Sequence, residues 1–281
     1  MKNFVWVALV VVLVGCKKVS ETDTSLPSQV LSNVAYGNDP EQKMDLYLPK
    51  DRSTANTKLI LLIHGGGWVS GDKSDFSSYI SILQDRLPGY AIANINYHLA
   101  TNITNHFPTQ ETDVKAAVAF LLQNREQYQF SEKFVLLGAS AGAHLALLQA
   151  YKYTSPKIRA VVDFYGPVNM TDLYNSASNP LYKDALKTLM GGTPAENPGL
   201  YEQSSPINFV NAQSPPTIIF HGQLDELVPV SQSENLKNKL INAGVATELT
   251  IVPNVGHDVW PESEMNAAFT RIVQFLQQHV P

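Results

Sequence analysis

Hydrophobic positions along the chain fall into two kinds of run, and their alternation sets the expected architecture. Residues 43–48 (Lys-Met-Asp-Leu-Tyr-Leu) alternate polar and apolar, the period of a half-exposed strand. Residues 59–63 are continuously apolar and read as a buried strand, and 90–97, 134–137, 160–165 and 217–220 also read as strands. Residues 248–252 read as a last strand. Between them, residues 112–123 place Val114, Ala117, Val118 and Leu121 on one helical face, and residues 143–151 and 262–278 also have helical spacing. Strand and helix therefore alternate from about Val30 onward, the pattern of βαβ units and a mostly parallel sheet flanked by helices. No internal repeat interrupts it.

One stretch breaks the alternation. Residues 166–216 are marked by several Asn, Pro and Gly residues and hold one helical piece near 181–190. A structureless loop of that length is out of place inside a compact domain, so the stretch is expected to form a small cap-like insertion over the functional edge of the sheet. The 281 residues, 44% hydrophobic and 16% charged, suit a single globular domain spanning 30–281. A formal charge of −5 and the lack of any Lys/Arg cluster argue against nucleic acid as a partner.

The single cysteine excludes an internal disulfide framework. It closes a leader: Lys2, an apolar run over residues 4–14, and then Leu13-Val14-Gly15-Cys16, which resembles a bacterial lipoprotein signal peptide with its lipobox. The run is too short to span a bilayer core of about 30 Å. The resemblance implies a signal peptide over 1–15 and a lipid on Cys16, with membrane attachment through that anchor. Lys17 stands where an aspartate would retain such a protein in the inner membrane, so outer-membrane placement is implied. A plain secretory signal with an incidental cysteine is the alternative. Residues 16–29, rich in Ser, Thr and charge with Pro27, read as a flexible tether.

Gly138-Ala139-Ser140-Ala141-Gly142 is a G-x-S-x-G pentapeptide between an expected strand and an expected helix. Its glycines permit the sharp strand-to-helix turn that thrusts a serine out at the top of a sheet. A serine hydroxyl is a poor nucleophile near neutral pH and needs a histidine to take its proton and a carboxylate to hold that histidine. In this arrangement the partners follow in the order Ser, Asp or Glu, His. His257, in Asn254-Val255-Gly256-His257-Asp258, meets the order, whereas His279 sits two residues from the C-terminus. Asp225 follows the expected strand 217–220 and is the candidate carboxylate, with Glu226 the alternative and Asp163 disfavoured by its place within a strand. His64-Gly65-Gly66-Gly67-Trp68 follows a buried strand where bare backbone N–H groups are needed for an oxyanion; Gly66, Gly67 and Ala141 are the expected donors.

These motifs, with Gly71-Asp72-Lys73, Asn96-Tyr97-His98-Leu99-Ala100, Phe107-Pro108 and Asp113, resemble the α/β-hydrolases of the bacterial carboxylesterase group, which includes hormone-sensitive-lipase-like and feruloyl or acetylxylan esterases. The likeness runs from about Lys43 to the C-terminus. Tyr97-His98-Leu99-Ala100-Thr101-Asn102 and Ala139 depart from the hormone-sensitive-lipase-like pattern, so the chain looks more like the feruloyl/acetyl esterase branch, and also like arylformamidases. The resemblance implies an α/β-hydrolase fold, no cofactor, and a serine carboxylesterase acting on a small ester or an esterified glycan. An amide hydrolase of arylformamidase type, and a binding lipoprotein with a disused site, are the alternatives.

The remaining candidates have blander readings. His144, four residues past Ser140 on the same helix, is expected to pack or bond beneath the turn; His64 to support the glycine loop; His221 to serve the turn before Asp225. Trp68 and Trp260 flank motif residues and are candidates for lining a substrate pocket. The segment carrying Tyr165, Tyr174, Tyr182 and Tyr201 reads as packing or as a cap surface. No HExxH or clustered Cys/His spacing points to a metal.

Overall fold

The computed structural model describes residue 1, residues 25–257 and residues 260–281. Cys16, the leader and most of the tether lie outside the described residues. The chain builds one eight-stranded sheet: β1 (Gln29–Ala35), β2 (Lys43–Leu48), β3 (Lys58–Ile63), β4 (Tyr90–Ile95), β5 (Phe134–Ala139), β6 (Ile158–Phe164), β7 (Thr217–Gly222) and β8 (Thr247–Val252), in the order β1-β2-β4-β3-β5-β6-β7-β8. The pairs β1/β2 and β2/β4 are antiparallel, and the other five pairs are parallel. This is the α/β-hydrolase fold, a mostly parallel sheet with helices packed against both faces.

The continuous apolar runs are explained by that double cover. Along β3, Leu59, Leu61 and Ile63 join the hydrophobic cluster on one face, while Ile60 and Leu62 join the cluster on the other. β2 alternates because Met44, Leu46 and Leu48 are buried on one face, while on the other Tyr47 is only half-buried against the second cluster. The first face is covered chiefly by α2 (Thr109–Gln123) and α4 (Ala141–Lys152), with the four-residue α3 (Arg125–Tyr128) between them in sequence. Residues 141–151 of α4 are all buried, which is why its sequence lacks a polar face. The second face is covered by α1 (Ser77–Arg86) and the closing helix α9 (Glu262–His279), whose Phe269, Ile272, Phe275 and Leu276 form a clean apolar stripe.

Residues 166–216 hold α5 (Met170–Ser176), α6 (Pro180–Met190) and α7 (Pro198–Gln203). Met170, Leu173, Leu186, Leu189, Met190 and Tyr201 are wholly buried in the same cluster as α2 and α4. The insertion is therefore for the most part a continuation of the core on that face. α8 (Ser231–Asn242) follows β7 and buries Leu236 and Leu240.

Three differences from the sequence reading have plain causes. Ala139 closes β5 and Ala141 opens α4, so the turn is a single residue, Ser140, and not the five residues 138–142. Leu26, Pro27 and Gln29, assigned to the tether, are bonded to the domain: the Leu26 carbonyl accepts Asp51 N–H at 2.8 Å, and Arg52 reaches the Pro27 carbonyl and the Gln29 side chain. The strand before residue 43 and the helices α1 and α8 have few buried positions to mark them; α1 buries only Ile80 and Leu83.

Parallel register brings the carboxyl ends of the strands level. Ile63 pairs with Gly138, Gly138 with Asp163, Phe164 with Phe220, and Gly222 with Val252. The segments just beyond β3, β5, β6, β7 and β8 thus meet at one edge, where ligands of such sheets bind.

Candidate active site

Ser140 sits between β5 and α4 with φ 53° and ψ −119°. A non-glycine residue at such a φ costs on the order of 1–3 kcal/mol and persists where its surroundings impose it. Here the two glycines of the motif allow the close approach. A Cβ on Gly142 would lie 2.0 Å from the Ile63 carbonyl oxygen, and one on Gly138 would lie 2.4 Å from the Ala143 nitrogen. Ser140 N–H donates to the Phe164 carbonyl at 2.8 Å, and its own carbonyl accepts the first helical bond from His144 at 3.0 Å. The side chain is thereby turned away from the sheet and toward the loop after β8.

There His257 completes a line of hydrogen bonds. Its Nε2 is 2.9 Å from Ser140 Oγ, and its Nδ1 is 2.7 Å from Asp225 Oδ2. The carboxylate Oδ2 only accepts, so Nδ1 carries a hydrogen and, in the neutral ring, Nε2 is the acceptor facing the serine hydroxyl. Asp225 Oδ1 accepts the N–H groups of Leu227 (2.9 Å) and Val228 (2.8 Å). Its side chain is fully enclosed. Burial acts to raise the Asp225 carboxyl, but hydrogen bonds from His221 and His257, the His257 charge and the Val228 N–H outweigh it and hold the group well below the usual carboxylate range. Glu226, the alternative carboxylate, is exposed.

The glycine loop lies beside the serine. Gly66 has φ 101° and Gly67 φ 60°, and both line the same cavity as Ser140. The Gly66 carbonyl is tied back by Ser70 N–H (3.0 Å) and Ser70 Oγ (2.9 Å), so the trans peptide turns the Gly67 N–H the opposite way. Ala141 is the first residue of α4, where N–H groups lack intrahelical acceptors and the helix end is positive. His64 stacks on Tyr97 with ring centroids 4.3 Å apart, and Tyr97 Oη donates to the His64 and Gly65 carbonyls, fixing the start of the loop.

Trp68 does not line the cavity. A φ of 64° turns it into the core, where it is wholly buried and its Nε1–H donates to His144 Nδ1 at 3.1 Å. His144 Nε2 donates in turn to the Ser204 carbonyl at 2.6 Å. Burial lowers the His144 imidazole to about 4, helped by the Lys152 charge and opposed by the Ser204 bond. With both nitrogens engaged, His144 ties the glycine loop to the insertion and takes no part in proton transfer at Ser140.

Trp260 does line the cavity, which has a volume of about 520 Å³. One wall is the glycine loop with Ser140 and His257. From Ser140 the space runs inward between α1 and α9, past Phe76, Tyr79, Leu83, Met265 and Phe269. Tyr165 packs on the His257 ring, 4.7 Å between centroids, and on Trp260 at 5.7 Å. Tyr182 of α6 is the single residue of the insertion that reaches the cavity wall, and Leu227 stands beside the Asp225 loop. The aromatic and aliphatic lining from α1 and α9 was not visible in the sequence, because it depends on two helices about 190 residues apart packing together.

Asp163, beneath the site on β6, is wholly enclosed. Its Oδ1 accepts Gly166 N–H at 2.7 Å, and Oδ2 has no partner among the described residues. Burial pushes its carboxyl up to about 7, with the Gly166 N–H and nearby His221 drawing it back. Between the ordinary value of 3.8 and about 7 the folded chain holds a proton that the unfolded chain has released, so stability falls as pH rises through that window. Asp163→Asn, which keeps an oxygen for Gly166, is expected to gain steadily in Tm over the wild type from about pH 4 to about pH 7 and to level off above it. A Tm difference that stays constant over that range would contradict the assignment.

The family model described as BD-FAE matches residues 44–240 of the chain. Esterase LipQ of Mycobacterium tuberculosis is 28% identical over 80% of this chain and 56% of its own length. The chain therefore spans about half the length of the curated relatives it matches. Among solved structures, a truncated carbohydrate esterase from gut microbiota is 28% identical with a TM-score of 0.75, over 91% of this chain and 98% of that one. A bifunctional GH43-CE protein of Bacteroides eggerthii is 28% identical with a TM-score of 0.76, over 88% of this chain and 38% of that one.

Proposed function

Because the chain belongs to the BD-FAE family, we propose that it is a serine carboxylic-ester hydrolase working through an acyl-enzyme. The observation that carries this reading is the unbroken line from Ser140 Oγ through both nitrogens of His257 to Asp225, opening on an apolar cavity. Ser140 Oγ attacks the ester carbon while His257 Nε2 takes its proton. Asp225 keeps the hydrogen on Nδ1 and balances the imidazolium charge. The N–H groups of Gly66, Gly67 and Ala141 receive the negative oxygen of the tetrahedral intermediate. His257 then returns the proton to the leaving alkoxide, and the C–O bond to the alcohol breaks. Water attacks the acyl-enzyme by the same steps in reverse roles, releasing the acid and restoring Ser140.

For substrate we propose an acetyl or feruloyl ester on a polysaccharide. The carbohydrate esterases among the structural neighbours support the alcohol side. The depth of the cavity and its lining by Phe76, Tyr79, Trp260 and Phe269 support a bulky acyl group as well as a small one. The leader ending in Cys16 supports an outer-membrane lipoprotein; this placement rests on those residues alone.

The test is a panel of acetylated and feruloylated xylo-oligosaccharides, p-nitrophenyl acetate and an N-formyl anilide. The purified chain is expected to turn over the esters and to favour the oligosaccharides. Turnover of the anilide alone would replace ester by amide, and no turnover of any of them would overturn the hydrolase reading.

A further inference from the structure

Behind the Asp225 carboxylate lies a second imidazole that the three-residue line does not use. His221, the penultimate residue of β7, is wholly buried. Its Nε2 is 2.8 Å from the Val228 carbonyl oxygen and 3.2 Å from Asp225 Oδ2. Its Nδ1 is 2.7 Å from Ser233 Oγ, in the first turn of α8. A carbonyl oxygen only accepts, so the hydrogen sits on Nε2, Nδ1 is the acceptor, and the Ser233 hydroxyl donates to it. Asp225 Oδ2 therefore faces two imidazole edges: His257 Nδ1–H is hydrogen-bonded to it, and His221 Nε2–H, which donates to the Val228 carbonyl, passes 3.2 Å from it, while Oδ1 takes two backbone N–H groups.

We propose that His221, oriented by Ser233, is a positioning residue for the hydrolysis: it aims Asp225 Oδ2 at His257 and shares that oxygen's negative charge. This rests on the triad reading of the site. Two consequences follow from the sharing. Without His221 beside it, Oδ2 would keep only its bond to His257 and lose the wall that sets its direction, so His257 would be held less well and kcat would fall. The charge left on Oδ2 would also fall entirely on His257, favour its imidazolium form, and move the acid limb of kcat/KM toward higher pH. Other groups facing this pair are Asp163 from β6, which acts on His221, and Tyr182 from α6, which acts on Asp225. Neither forms a hydrogen bond with either residue among the described contacts, so neither substitutes for the His221 donor.

The experiment is the pH dependence of kcat and KM for p-nitrophenyl acetate in the wild type, His221→Leu, His221→Gln and Ser233→Ala. Glutamine places an N–H donor where Nε2 stands, so it separates the donor from mere bulk. His221→Leu is expected to lose about 10- to 100-fold in kcat, the range for one hydrogen bond to a charged group, and to shift the acid limb upward. His221→Gln is expected to restore most of kcat and return the limb to its wild-type position. Ser233→Ala, which keeps the ring but frees it to turn, should fall between, and it remains readable if the leucine variant does not fold. An unmoved acid limb in every variant, or equal losses in the leucine and glutamine variants, would overturn the proposal. The triad reading fails separately, if Ser140→Ala keeps the activity of the wild type.

Discussion

Ser140→Ala is expected to lower kcat for p-nitrophenyl acetate by on the order of 10⁶-fold, the loss seen when the serine nucleophile is removed from such a triad. The fold should survive the change. Alanine keeps the Cβ, so the backbone strain at φ 53° is the same before and after, and the bonds to the Phe164 carbonyl and from His144 N–H involve only main chain. What disappears is Oγ, the hydrogen-bond partner of His257 Nε2. Residual turnover would reflect the oxyanion donors and the cavity, which the substitution leaves in place. A thermal melt within a few degrees of the wild type, measured alongside the rate, separates lost chemistry from lost structure.

Asp225→Asn is expected to cost nearly as much, about 10⁴-fold in kcat, although only an oxygen is exchanged for an amide nitrogen. Three donors bond this carboxylate, Leu227 N–H and Val228 N–H on Oδ1 and His257 Nδ1–H on Oδ2, and His221 Nε2 stands 3.2 Å from Oδ2. An amide has a single oxygen, so whichever way it turns, either the main-chain pair or the His257 N–H meets an NH₂ group. The main-chain pair is rigid and will claim the oxygen, leaving NH₂ against His257. His257 then prefers the tautomer with hydrogen on Nε2, which can no longer accept the Ser140 proton. The loss should appear in kcat more than in KM, because the cavity wall is unchanged. A KM-only effect would mean that Asp225 shapes binding and not proton transfer.

How much of this was legible in the sequence depended on how local each signal was. The turn at Ser140 was readable because its requirement is written within five residues: any side chain at position 142 would strike the Ile63 carbonyl. Asp225 and His257 were readable because parallel βα topology puts the ends of successive strands side by side, so chain order restricts the partners. Trp68 was misplaced because adjacency to Gly67 says nothing of direction, and a positive φ sends its indole inward to His144. The edge strand β1 escaped notice because pairing with β2 and the half-buried Leu31 and Val34 are all that hold it; its seven residues include none that is fully buried. The cavity escaped for the opposite reason. Phe76 and Leu83 come from one end of the chain and Met265 and Phe269 from the other, and only packing across the second face of the sheet makes them neighbours.

In the proposed mechanism Ser140 Oγ is the atom that becomes acylated. Its most direct test is a fluorophosphonate, which bonds irreversibly to a serine oxygen activated by a neighbouring base. After incubation and peptide mapping by mass spectrometry, one phosphonyl group is expected per chain, on Ser140, with labelling abolished in Ser140→Ala and slowed in Asp225→Asn. A wild-type chain that stays unlabelled, or one that carries the group on another serine, would contradict it.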